Sequence, residues 1–147
     1  MRRAPLGLLL VAVACLPESF SPDVGEPLAQ FCDVADSDPS TTVSWSGGIV
    51  PLLKNKCFFC HSPEGRSPIG IEVGRLDLST YTSLRAGGAV SGDDIVVPGD
   101  PCASVLVEKI EEYPSFGARM PLNGPPFLSD QEIQLIRDWI AEGARED

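Results

Sequence analysis

Histidine is almost absent from this chain, with one residue, His61, in 147. A site made of two imidazoles from one chain is therefore excluded. Methionine is nearly as scarce: there are two, and one of them is Met1. No block of Lys and Arg occurs, and the formal net charge is −10. That balance excludes the basic footprint nucleic-acid binding demands. No internal repeat and no long acidic or basic tail is present. Strand-like alternation of apolar and polar residues is missing too, which leaves helix as the regular structure. Glycine and proline are plentiful instead, at 14 each, so turns and long loops should connect those helices.

The N-terminus opens with "MRRAPLGLLLVAVAC", in which Arg2 and Arg3 precede an apolar run over Leu6–Ala14. A run of nine residues falls well short of the ~20 that span a bilayer and fits an export signal. Its end, "AVAC", resembles the lipobox of bacterial lipoproteins, although Ala12 stands where that box usually carries Leu. The resemblance implies lipidation of Cys15; an ordinary signal peptide cut nearby is the alternative. Residues 1–14 are thus expected to be a signal peptide. Residues 15–42, rich in Pro, Ser and Asp without apolar periodicity, are expected to be a flexible tether. The folded domain is expected over 43–147. Loss of Arg2 and Arg3 leaves nine basic against 21 acidic residues, a net of −12.

Within that domain, four helices are legible. "GGIVPLLKNKCFFCH" spaces Ile49, Leu52, Leu53, Lys56, Cys57 and Cys60 at helical intervals, with Pro51 in the first turn. "STYTSLRAGG" reads as a short helix with Ser79 as cap and Gly87–Gly88 as stop. In "GDPCASVLVEKIEEY", Asp100 reads as N-cap, Pro101 as the first helical residue, and Val105, Leu106 and Ile110 as the apolar face. The last helix is the clearest. Ser129 and Glu132 form a capping box, Ile133, Ile136, Trp139 and Ile140 make an apolar stripe, and Gly143 ends it.

The chemistry lies in "KNKCFFCHS". Cys57, Cys60 and His61 fall at i, i+3 and i+4, so one helical turn presents all three on one face. Two thiols at that spacing can add to the two vinyl groups of one haem while the imidazole reaches the iron; C-x-x-C-H is the c-type haem attachment pattern. A bare C-x-x-C also suits a redox dithiol or half a zinc site. Zinc would need further ligands, and only Cys32, Cys102 or carboxylates remain, at awkward spacing. A thioredoxin-like site expects a βαβ setting, which is absent. For a second axial ligand, Met120 in the loop "ARMPLNGPPF" is the one thioether left after processing. A Met filling a core gap, lysine coordination and an open iron position are the alternatives.

The stretches "CFFCH", "GRLDLSTY", "VVPGDPCASVLVEKI", "ARMP" and "LSDQEIQLIRDWIAEGA" resemble the monohaem class I cytochrome c fold, and more narrowly the planctomycete-type cytochrome c domains of exported bacterial proteins. The resemblance implies an all-α fold of about four short helices with long loops wrapped around one covalent haem c. It also implies that Cys57 and Cys60 attach the haem and that His61 and Met120 ligate the iron. A Met/His pair raises the reduction potential relative to bis-His ligation. With both axial positions filled, the expected function is single-electron transfer between redox partner proteins outside the cytoplasm, as a carrier or a subunit of a larger oxidoreductase complex. A peroxidase-like or gas-sensing haem subunit is the alternative.

Leu53, Phe58, Leu76, Leu78, Leu106, Phe116, Leu122 and Phe127 are candidates for the pocket wall, and Arg75, Arg119 or Trp45 for contacts with the haem propionates. Trp139 should pack near the first helix. Cys32 and Cys102 are left over in an oxidising compartment, which favours a disulfide between them.

Overall fold

The computed structural model describes residues 32–147; the signal segment, Cys15 and most of the expected tether lie outside them. Every regular element among the described residues is helical, as the missing strand alternation requires.

A π-helical turn over Trp45–Ile49 begins the domain, with Ser44 Oγ accepting from Gly47 N at 2.8 Å. It runs directly into α1, Val50–Lys56, where Pro51 occupies the first turn. At Cys57 the backbone breaks step, and α2, Phe58–His61, follows. One long helix is thus three short pieces. Further on come α3, Ile69–Glu72, and α4, Tyr81–Ala86. The cap of α4 is Thr80 rather than Ser79: its hydroxyl accepts from Ser83 N at 3.0 Å and Ser83 Oγ accepts from Thr80 N at 3.2 Å. Gly87 ends it at φ +70°, where any Cβ would overlap the Gly92 carbonyl.

The largest departure from expectation is α5, which spans Val105–Ile110. The sequence pattern starts it at Pro101; residues 101–103 instead form a turn. Asp100 does accept from Ala103 N at 3.0 Å, but Ser104 Oγ donates to the Asp100 carbonyl and accepts from Val97 N at 2.9 Å. That hydroxyl closes the loop on itself, and helical bonding starts only beyond it. With α6, Asp130–Ala141, the described residues hold six α-helices rather than about four. The divided first helix and the unforeseen α3 account for the difference.

The apolar stripe of α6 is buried in full, with Ile136, Trp139 and Ile140 at 1% exposure or less. Trp139 stacks on Trp45 at 5.4 Å between centroids, and Trp45 meets Tyr81 edge-on at the same separation. The last helix therefore packs where expected, although on the π-helical turn ahead of α1. Lys56 Nζ pairs with Glu132 at 3.1 Å near the other end of α6.

The α6 capping box is present as the sequence implies: Glu132 accepts from Ser129 N at 2.8 Å, and Ser129 Oγ accepts from Glu132 N at 3.3 Å. The backbone bond from Ser129, then Lys56, holds the Glu132 carboxyl below its ordinary value. A depressed carboxylate stabilises the fold above the unfolded-state value, and the contribution fades as pH falls through the folded-state one. Ser129→Ala should cost about 1 kcal/mol at neutral pH, read from urea unfolding. A parent-like midpoint there would show that the box contributes nothing.

Residues 32–42 lie along α6. Asp38 N donates to Asp138 at 2.8 Å, Gln134 Nε2 to the Asp36 carbonyl at 2.7 Å, and Arg137 Nη2 to the Asp33 carbonyl at 2.9 Å. Cys32 is disulfide-bonded to Cys102, with Cα atoms 5.5 Å apart.

Candidate functional site

A cleft of about 510 Å³ opens between α2, α3, α5 and the loop that carries Met120. Its size is that of a small-molecule or cofactor site. Cys57, Cys60, His61 and Met120 all line it. Residues 59 positions apart thus face one space, and their convergence is the central geometric fact of the molecule.

Local sequence explains how each reaches the wall. The amides of Cys60 and His61 both donate to the Cys57 carbonyl, at 3.1 and 2.9 Å. That single turn presents Cys57, Cys60 and His61 together, as the i, i+3, i+4 spacing requires. The loop bearing Met120 is held by α5: Met120 N donates to the Lys109 carbonyl at 2.7 Å and Arg119 Nε to the Ile110 carbonyl at 3.1 Å. Lys109 Nζ reaches the Phe116 carbonyl and sits 4.6 Å from the Phe116 ring centre. Burial lowers the pKa of this lysine.

His61 is oriented by its second nitrogen. Nδ1 lies 3.0 Å from the Leu76 carbonyl. A carbonyl only accepts, so Nδ1 carries a proton there, which leaves Nε2 as the nitrogen that can ligate a metal. His61's own carbonyl takes Leu78 N at 2.8 Å, locking the turn to the strand-free segment that follows α3.

Cys57 and Cys60 are both free thiols. Burial foremost, then Cys60, pushes the Cys57 thiol up to about 12, with Lys56 opposing weakly. Such a sulfur is a poor match for a redox dithiol, whose attacking cysteine works as a thiolate. Among the described residues, no three His, Cys, Asp or Glu gather as a metal cage. Two thiols and an imidazole on a largely apolar wall suit a flat apolar group that carries its own metal.

The wall agrees in part with the expected one. Leu76, Leu78, Leu106, Phe116 and Leu122 line the cleft. Leu53 is instead buried in the core, and Phe58 packs against that core. Phe127 lies under Arg119, 4.4 Å from ring centre to guanidinium. Phe59, Ile69, Val73 and Val90 supplement the wall; none of them falls on an apolar stripe that periodicity marks. Arg75, Arg119 and Trp45 are not on it. Trp45 is core, Arg119 is spent on Ile110 and Phe127, and Arg75 is exposed. The cations lining the cleft are Lys56 and Lys109. Lys56 stands at a helical interval from Leu52 and Leu53, a signal legible in advance.

Against known proteins, the family model described as Planctomycete cytochrome C matches residues 57–121. The matched stretch begins at Cys57 and ends one residue past Met120. No curated protein and no solved structure matches the chain.

Proposed function

We propose that this chain, whose residues 57–121 match the family model described as Planctomycete cytochrome C, is a monohaem electron carrier with His61 and Met120 as axial ligands. The observation that carries the reading is the convergence of Cys57, Cys60, His61 and Met120 on one apolar cleft.

When bound, haem supplies one-electron redox chemistry; the polypeptide supplies retention, orientation and electrostatics. Cys57 and Cys60 would hold the group by thioether bonds. His61 offers Nε2, fixed by the Leu76 carbonyl, and Met120 offers its sulfur from the opposite part of the chain. Leu78, Ile95, Leu106 and Ile110 exclude water, which limits reorganisation when the charge changes. Lys56 and Lys109 are the cations on the cleft wall, Lys56 paired with Glu132 and Lys109 with the Phe116 carbonyl, and either would have to turn from that partner to meet a haem carboxylate. With His61 and Met120 as its ligands, the iron would keep no coordination site for a substrate, and electrons would pass at the cleft mouth. At that mouth Phe59, Ile69, Val73, Val90 and Leu122 are exposed in the polypeptide alone, Val90 at 80%, and the part of them that haem leaves uncovered would form an apolar rim for a redox partner protein.

Optical spectra of the oxidised and reduced protein test this reading. The expected result is a low-spin c-type spectrum that survives acid–acetone extraction, one haem per chain, and inertness toward carbon monoxide and cyanide. Rapid binding of either ligand would favour a peroxidase-like or sensing role instead.

Export and anchoring form part of the same proposal. Covalent haem attachment takes place outside the cytoplasm, and the segment ending in "AVAC" supports lipidation of Cys15. One acyl chain binds a membrane only marginally, so stable anchoring takes several. Cys15→Ser should move the protein from the detergent-extracted envelope fraction into the soluble periplasmic or secreted fraction. Unchanged partitioning would remove the lipoprotein reading.

A further inference from the structure

We infer that Gly70 is a positioning residue for His61: bare backbone at this point is what lets the imidazole lie in its ligating orientation. The inference rests on the haem reading above and concerns a residue that reading does not use.

A Cβ at Gly70 would stand no more than 2.7 Å from Nδ1, Cε1 and Cγ of His61. Three ring atoms at that range mean the glycine backbone lies against the ring itself, closer than any side chain allows. The same segment supplies the ring's hydrogen bond. Leu76 N donates to the Gly70 carbonyl at 3.1 Å, and the Leu76 carbonyl receives His61 Nδ1. The ring is thus held on one edge by a carbonyl and on a face by bare backbone, both from residues 70–76.

Two more glycines back this shelf. A Cβ on Gly74 would come within 2.7 Å of the Gly70 carbonyl oxygen, and one on Gly88 within 2.7 Å of the Gly74 carbonyl oxygen. Ala89 N donates to that Gly74 carbonyl at 2.9 Å. All three glycines line the cleft.

None of the three sits at positive φ. Conformational freedom therefore does not explain them; space does. Gly70 lies within α3, where alanine is the better helix former. Gly70→Ala accordingly favours the local backbone and opposes only the approach of the ring. That separation makes the role testable apart from general stability.

The experiment compares haem-loaded, full-length parent, Gly70→Ala and Gly74→Ala by ferric absorption, electron paramagnetic resonance and thermal unfolding. Gly70→Ala should raise the high-spin ferric fraction about 10-fold, the lower end of the loss usual when a partner that orients a metal-bound histidine is changed. Gly74→Ala presses on the Gly70 carbonyl rather than on the ring, and should give the same change to a smaller extent. A folded Gly70→Ala protein with the parent's low-spin spectrum would overturn the inference, whatever its melting temperature. Should Gly70→Ala fail to accumulate, Gly74→Ala decides by the same criterion. A parent without covalent haem would instead overturn the proposed function.

Discussion

Met120→Ala should yield a protein that keeps its haem covalently attached yet loses the spectroscopic signature of sulfur on ferric iron. Attachment survives because Cys57 and Cys60 are untouched. The signature goes because His61 is the chain's one histidine and Met120 its one methionine besides Met1. The backbone of the loop should persist, since Met120 N is held by the Lys109 carbonyl and Arg119 by that of Ile110, neither of which involves the thioether. The reduction potential should fall by on the order of 0.1 V or more, within the roughly 0.8 V range that axial ligands control. Carbon monoxide should bind the reduced variant rapidly. Met120→His should also lower the potential while keeping the iron six-coordinate and inert. The deciding observation is the weak near-infrared charge-transfer band of the oxidised parent. Its absence there, or its survival in Met120→Ala, would mean that another group ligates the iron.

Cys102→Ser should produce the largest loss of polypeptide stability. The bond to Cys32 closes a loop of 70 residues, and chain entropy assigns such a closure about 4 kcal/mol. Set against the 5–15 kcal/mol of a typical domain, that is a large share. The structure adds a local reason. Cys32 tethers the strap 32–42 beside α6, where buried Arg137 gathers the Cys32 sulfur at 3.3 Å, the Asp33 carbonyl and Glu111. Without the disulfide, the strap is left to a few hydrogen bonds at an exposed surface, and Arg137 loses its covering. Urea unfolding of parent and variant, each haem-loaded, measures the effect. The haem spectrum should remain that of the parent. A reduced but otherwise unaltered parent should behave like Cys102→Ser. A loss under about 1 kcal/mol would show that the bond closes a loop the denatured chain already keeps compact.

The features legible in the sequence are those set by near neighbours or by counting. Thiols at 57 and 60 and an imidazole at 61 share a face because one helical turn demands it. Ser129 and Glu132 form their box because both partners lie within one turn, and the Ile133–Ile140 stripe is buried because a 3.6-residue period leaves it no other side. Trp139 is expected near the first helix and meets Trp45 in the π-helical turn just ahead of it. Met120 emerges as the candidate ligand from scarcity alone, with no geometry needed. The pairing of Cys32 with Cys102 follows from an even remainder of cysteines.

Tertiary structure decided what depends on backbone groups and on empty space, which periodicity does not encode. Helix α5 begins at Val105 because Ser104 Oγ is drawn to Val97 and Asp100 across a loop, a bond between residues that propensity treats as independent. Arg75, Arg119 and Trp45 stand off the cleft because other partners hold two of them, and Lys56 and Lys109 line it. The orientation of His61 comes from a carbonyl 15 residues away and from the missing side chain of Gly70. Nothing in the letters "IGIE" marks that glycine, because its effect is the room it leaves, and that room has meaning only once the fold lays a ring against it.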